Sequence, residues 1–166
     1  MEITQDFLKE HFEYRDGKLF WKKLLPKFKS NIGDELGKVN DKGYIACSFK
    51  GKNYKLHRLI FLYHHNNLPE QIDHINNKKG DNRIENLRPA TNSQNAFNIV
   101  GHSDALTSTK NVWKVKDGKK QWRGEVCCNG VRYNIPRQST KDEAESAVTE
   151  LRNRLHGEFV NHGIKE

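Results

Sequence analysis

The sequence predicts an α+β chain in two parts, each built from a few short antiparallel strands and one or two helices. Three observations lead there. Asp16-Gly17 and Asn129-Gly130 sit between apolar runs, and such dipeptides supply the positive backbone angles of tight hairpin turns. Thr91-Asn92-Ser93-Gln94 and Thr140-x-x-Glu143 fit the capping box that opens a helix. Residues 99–107 are small and polar and read as a linker between the parts. Of the 166 residues, 34% are hydrophobic and 30% charged, so each part holds only a modest core.

Taken in order, residues 3–13 predict a short helix capped by Thr4, with Ile3, Phe7 and Leu8 on one stripe. Residues 14–21 follow as a hairpin around Asp16-Gly17. The next stretch is a basic loop in which Lys22, Lys23, Lys27 and Lys29 serve either surface solubility or phosphate contact. Residues 43–56 form a second hairpin with a turn at Lys50-Gly51-Lys52-Asn53. Residues 57–65 predict an apolar helix ended by Asn66-Asn67-Leu68-Pro69, buried behind the strand that follows it. His57 and Arg58 open this helix, as phosphate or supporting groups or as ordinary surface residues. His64 and His65 are adjacent, about 100° apart on the helix, and cannot easily share an ion.

Residues 71–98 carry the chemistry. If 71–75 is a strand, Ile72 and His74 share one face and Asp73 and Ile75 the other. A carboxylate beside an imidazole divides the labour of hydrolysis, because Asp holds a hard cation while His, with a reference pKa of about 6.5, accepts a proton near neutrality. Pro89 disfavours helix at Arg88, so 87–89 return as a strand. The helix opened by Thr91 then places Asn95 one turn in, where its amide oxygen can complete an oxygen ligand set. This pattern points to a metal-dependent phosphodiesterase site. Asn82 and Asn86 are suited to hydrogen-bonding the loop backbone. Asn98 is either a further ligand or simple helix-end polarity.

Asp73-His74-Ile75, the run from Asn82 to Arg88 (NRIENLR) and Gln94-Asn95, in that order, resemble the HNH endonuclease family, a ββα-metal fold, in the asparagine-rich variety of bacteriophage and intron-borne homing enzymes. The resemblance implies His74 as general base, Asp73 and Asn95 as metal ligands, and Asn86 as the asparagine that ties the loop and orients the histidine. Asn82 is expected to orient the loop. The last ligand is Asn rather than His, which favours Mg²⁺, with Mn²⁺ as the alternative, over Zn²⁺. Arg83 and Arg88, with His57 and Arg58, are expected near the cut phosphate; a salt bridge to Glu85 or simple exposure is the alternative for the first two.

Beyond the linker, residues 112–116, 121–128 and 131–135 read as three strands, turning at Asp117-Gly118 and Asn129-Gly130. A helix follows with Ala144, Ala147, Val148, Leu151 and Leu155 at helical spacing. Alternation puts Trp122, Gly124, Val126 and Cys128, with Tyr133 and Ile135, against that stripe. Arg123, Glu125, Cys127, Arg132 and Asn134 are left on the open face, which suits groove binding. Gln121–Val126 as QWRGEV, Asn129-Gly130, Ser139–Ala144 and the run from Leu155 to Phe159 resemble the AP2/ERF DNA-binding domain. Cys127 stands where plant domains usually carry Arg.

The net charge of +8 favours an anionic partner. Double-stranded DNA is expected rather than a membrane, because no apolar run is long enough to span one and the N-terminus lacks a signal peptide's apolar stretch. A cytoplasmic protein follows. Cys47, Cys127 and Cys128 are odd in number and lack C-x-x-C spacing, so no structural zinc is expected. No oligomerisation stripe is visible, which favours a monomer. The domain reading is therefore a nuclease module at 1–98, a linker at 99–107, an AP2/ERF-like module at 108–162 and a tail at 163–166. The competing reading is a non-catalytic DNA-binding regulator on a degenerate HNH scaffold. RNA as the substrate is a further alternative, although the usual RNA-stacking motif is missing.

Overall fold

The first helix, α1 (Gln5–His11), starts at the expected cap, Thr4 Oγ1 accepting from the Phe7 N–H at 3.3 Å. It buries Phe7, Leu8 and His11 and ends where Phe12 turns extended. The structure is a computed structural model that describes residues 3–26, 29–49, 51–98, 111–116, 119 and 121–160. Its contacts divide the chain into two units, Met1–Ala90 and Thr91–Glu166. Lys27, Lys50, the linker 99–107, the Asp117-Gly118 turn and the tail 163–166 lie outside the described residues.

In the first unit β1 (Phe12–Arg15) and β2 (Lys18–Trp21) pair antiparallel around Asp16 and Gly17, whose φ angles of 44° and 78° are those of a primed hairpin turn. Phe12 faces Trp21 across the pair, with ring centroids 4.4 Å apart. The basic loop that follows is partly consumed by internal ties. Lys22 donates to the Lys9 carbonyl at 2.6 Å and Lys23 pairs with Glu10, which ties the start of the loop to α1. Next come β3 (Lys38–Val39), β4 (Ile45–Phe49) and β5 (Lys52–Lys55), a three-stranded sheet in the order β3-β4-β5. Helix α2 (Leu56–His65) follows β5 directly and is stopped by Asn66 in the left-handed region. It packs chiefly on α1, β2, β4 and β5, rather than simply behind the next strand.

Leu8, Phe12, Leu19, Leu56 and Ile60 are fully buried in one cluster, each contributing about 1.5–3 kcal/mol by its removal from water. Strands β6 (Gln71–His74) and β7 (Leu87–Ala90) close the unit as an antiparallel pair, with a 3₁₀ turn at Ile84–Asn86 leading into β7. Ile72, Asp73 and His74 are all buried, so both faces of β6 are covered despite the alternation of its side chains.

The second unit starts with α3 (Asn92–Phe97), opened by the Thr91–Gln94 capping box. Strands β8 (Val112–Lys114), β9 (Trp122–Cys128) and β10 (Val131–Asn134) form an antiparallel sheet in the order β10-β9-β8. Helix α4 (Lys141–His156), with its Thr140–Glu143 capping box, lies across β9 and β8, and a 3₁₀ turn at Gly157–Phe159 follows it. Val112, Val126, Ile135, Ala144 and Val148 make the core. A Cβ on Gly124 would come within 2.2 Å of Val148 Cγ2, which explains the glycine on a strand under a helix. Tyr133 departs from the expected packing: it pairs with Val126 on the helix side yet is exposed, because β10 is the edge strand and α4 covers its neighbours. Among the described residues no helix is long and apolar enough to cross a membrane.

Candidate active site

The antiparallel register of β6 and β7 sets the centre of the site. It places Asp73 opposite Arg88 and His74 opposite Leu87. Arg88 donates from Nε and Nη2 to Asp73 Oδ2 at 2.9 and 2.8 Å, and both side chains are nearly buried. The pair is therefore shielded from water and strongly attractive. Arg88, expected at a phosphate or beside Glu85, faces Asp73 because cross-strand neighbours on one face interact directly.

His74 is held from the loop side. Its Nε2 lies 2.9 Å from Oδ1 of Asn82, which is 1% exposed. With the Asn82 amide oxygen turned to the ring, Nε2 is the donor of this pair and Nδ1 the basic nitrogen. Burial lowers the His74 pKa below 6.5, against the opposing effects of the Asn82 hydrogen bond and the Asp73 charge. The imidazole is thus neutral at pH 7, the state a general base requires.

Two further rings surround it. His57, at the start of α2, meets His74 edge-on, with centroids 4.9 Å apart and planes at 78°. Burial, then the neighbouring His74, pushes the His57 pKa down from 6.5 to about 3, which keeps this ring neutral as well. Tyr44 lies 5.5 Å from the His57 ring and 6.1 Å from that of His74.

The loop between β6 and β7 is a network of asparagines. Asn86 Nδ2 donates to Asn76 Oδ1 at 3.0 Å and to the Asp81 carbonyl at 2.7 Å, while its Oδ1 accepts from the Asn76 N–H at 3.1 Å. Asn86 thus ties the loop to itself, and the contact to the histidine ring comes from Asn82. They are four positions apart in sequence, and the loop carries Asn82 inward to the ring while Asn86 braces its base. Arg83 grips Asp81 through Nε and Nη2 at 2.9 and 2.8 Å, which holds the Asp81 carboxyl well below the usual carboxylate range.

The N-terminal hairpin supports this loop. Tyr14 Oη accepts from the Ile84 N–H at 3.1 Å. A Cβ on Gly17 would meet the Arg83 nitrogen at 2.7 Å and the Asn82 carbonyl carbon at 2.9 Å. Glycine there permits both the turn and the close approach. Arg58 is likewise structural, donating to the Glu70 and Pro69 carbonyls at 3.1 and 3.3 Å and so fixing the segment that enters β6.

The remaining expected residues belong to the second unit. Asn95 is half-buried on α3, and Asn98, at that helix's end, is buried. Arg123 and Cys127 are exposed on β9 and Glu125 is half-buried, alternating with buried Gly124, Val126 and Cys128. Arg132 and Asn134 pair with Cys127 and Glu125, so the five share the face away from α4. Arg132 Nη1 lies 3.8 Å from Glu125 Oε1.

A buried carboxylate adjacent in sequence to a neutral histidine suits one oxygen ligand of a hard cation. Among the described residues no group of three or more His, Cys, Asp and Glu converges. Tyr44 and the hairpin brace escaped the sequence reading. Their only signals were an isolated aromatic and the Asp16-Gly17 turn, neither of which names its distant contact.

Residues 54–97 match the HNH endonuclease family and carry its domain. The chain is 32% identical over 121 residues to an uncharacterized HNH endonuclease of Acanthamoeba polyphaga mimivirus, covering 71% of this chain and 61% of that protein. A second uncharacterized HNH endonuclease of that virus is 36% identical over 102 residues, covering 54% of this chain and 25% of its own length. Protein 3.8 of Escherichia phage T7 is 28% identical over 89 residues, 54% of this chain and 72% of that one. No solved structure matches.

Proposed function

We propose that the chain is a metal-dependent endonuclease that hydrolyses phosphodiester bonds in double-stranded DNA, of the phage or homing type. The observation that carries this reading is His74, buried beside Asp73 on β6, neutral, and held at Nε2 by Asn82 with Nδ1 as the basic nitrogen. His74 takes the proton of the attacking water at Nδ1, and the sugar 3′ oxygen leaves, giving a 5′-phosphate. Asp73 would supply an oxygen ligand to one Mg²⁺ or Mn²⁺, which would supply charge neutralisation at the phosphate and the leaving oxygen. Asn86 keeps the loop closed so that Asn82 stays on the ring. The open face of the second sheet, with Arg123, Glu125, Cys127, Arg132 and Asn134, is assigned to groove binding in the manner of an AP2/ERF domain.

A second reading, a DNA-binding regulator without cleavage, is favoured by one feature: the Asp73 carboxylate is already engaged by Arg88. Conversion of supercoiled plasmid to nicked or linear forms separates the two. Cleavage with Mg²⁺ or Mn²⁺ that is lost in EDTA and in His74→Ala supports the nuclease. Binding of DNA without cleavage under either metal, in the wild-type chain, hands the function to the regulator.

A further inference from the structure

Three arginines near the site are committed internally: Arg58 to the Pro69 and Glu70 carbonyls, Arg83 to Asp81, and Arg88 to Asp73. The cations that remain beside His74 are lysines. Lys55 Nζ lies 4.3 Å from the Tyr44 ring centroid and Lys79 Nζ 5.1 Å from it. That ring is itself 6.1 Å from His74. The two ammonium groups are thus at most 9.4 Å apart, the sum of their distances to one centroid. Both side chains are exposed, and neither forms an ion pair with a carboxylate among the described residues. Lys79 also donates to the Lys42 carbonyl at 3.2 Å, which brings the β3–β4 turn against the 75–86 loop.

Two like charges gathered about one aromatic ring repel each other unless an anion lies between or beside them. An open groove of about 810 Å³ starts at Lys55, and Lys52 and Asn53 of β5, His57 and Arg58 of α2 and Gln71 of β6 line it together with Glu70 and several apolar side chains. We infer that Lys55 and Lys79, spaced by Tyr44, bind the phosphate backbone of the substrate strand next to the reacting phosphate, and that the strand leaves along this groove. The assignment rests on the proposed nuclease reading for the position of the reacting phosphate. The lysines then do what the sequence suggested for Arg58, Arg83 and Arg88.

The test is DNA binding by the full chain, followed by anisotropy of a fluorescein-labelled duplex in EDTA across a series of NaCl concentrations. Each phosphate contact contributes about 0.9 to the slope of log Kd against log salt. A Lys55→Gln/Lys79→Gln chain is expected to lose about 1.8 from that slope, and Lys55→Arg/Lys79→Arg to keep it. Plasmid cleavage is measured on the same proteins. A wild-type chain that cuts while the double Gln chain keeps the full slope overturns the lysine assignment and leaves the nuclease standing. A wild-type chain that cuts under no metal while the slope still falls removes the nuclease and upholds phosphate contact by the lysines. Loss of thermal stability in the Gln chain with an unchanged slope makes the lysines braces of the β3–β4 turn, and likewise overturns the assignment.

Discussion

His57 makes the first unit sensitive to acid. It is 4% exposed in the folded chain, and its pKa falls from 6.5 to about 3. The unfolded chain therefore binds the proton first as pH drops, and stability is lost as pH falls below the ordinary histidine range toward that of the folded state. Between about pH 7 and about pH 5 the linkage relation gives a loss of about 2 kcal/mol from this one ring. His57→Phe retains an aromatic ring and removes the titration, so its stability should fall by about 2 kcal/mol less than the wild type over the same interval. The assay is urea unfolding in a Trp113→Phe/Trp122→Phe background. There Trp21, buried in the first unit, is the one tryptophan and reports on that unit alone. Equal pH slopes for the two chains would refute the argument.

Asn82→Ala should cut the single-turnover cleavage rate by about 10- to 100-fold, the usual cost of losing a group that orients a functional histidine, with DNA affinity in EDTA unchanged. Gly17→Ala should destabilise the first unit by about 1–3 kcal/mol in urea unfolding, because the position combines a φ of 78° with backbone atoms within 3 Å of the new Cβ. Gly124→Ala should cost about 1–3 kcal/mol in the second unit, seen in its own unfolding transition, with partial recovery in Gly124→Ala/Val148→Ala.

What could be read from the sequence was local. The Asp16-Gly17 and Asn129-Gly130 turns and the boxes at Thr91 and Thr140 need only neighbouring residues, and each formed as expected. Arginine partners were not legible in this way. Arg88 meets Asp73 through strand register, and Arg58 meets carbonyls eleven and twelve residues away. The roles of Asn82 and Asn86 are set by which one the loop turns inward, and composition cannot distinguish two residues of the same type. Tyr133 has the alternation of a core residue but lies on an edge strand, while the helix packs chiefly on β9 and β8. Tyr44 acquires its meaning only when the β3–β4 turn meets the 75–86 loop.

The hairpin brace changes what counts as the portable unit of this chain. The family match begins at residue 54, yet Tyr14 and Gly17 hold the Asn82–Ile84 backbone, and Phe12, Leu19 and Trp21 share one core with Leu56, Ile60 and Leu87. A graft that carried only the matched segment into another protein would leave half of that core bare and the histidine's asparagine unanchored. The piece that transfers intact is longer than the signature by which it is found, and its left edge lies at the first helix.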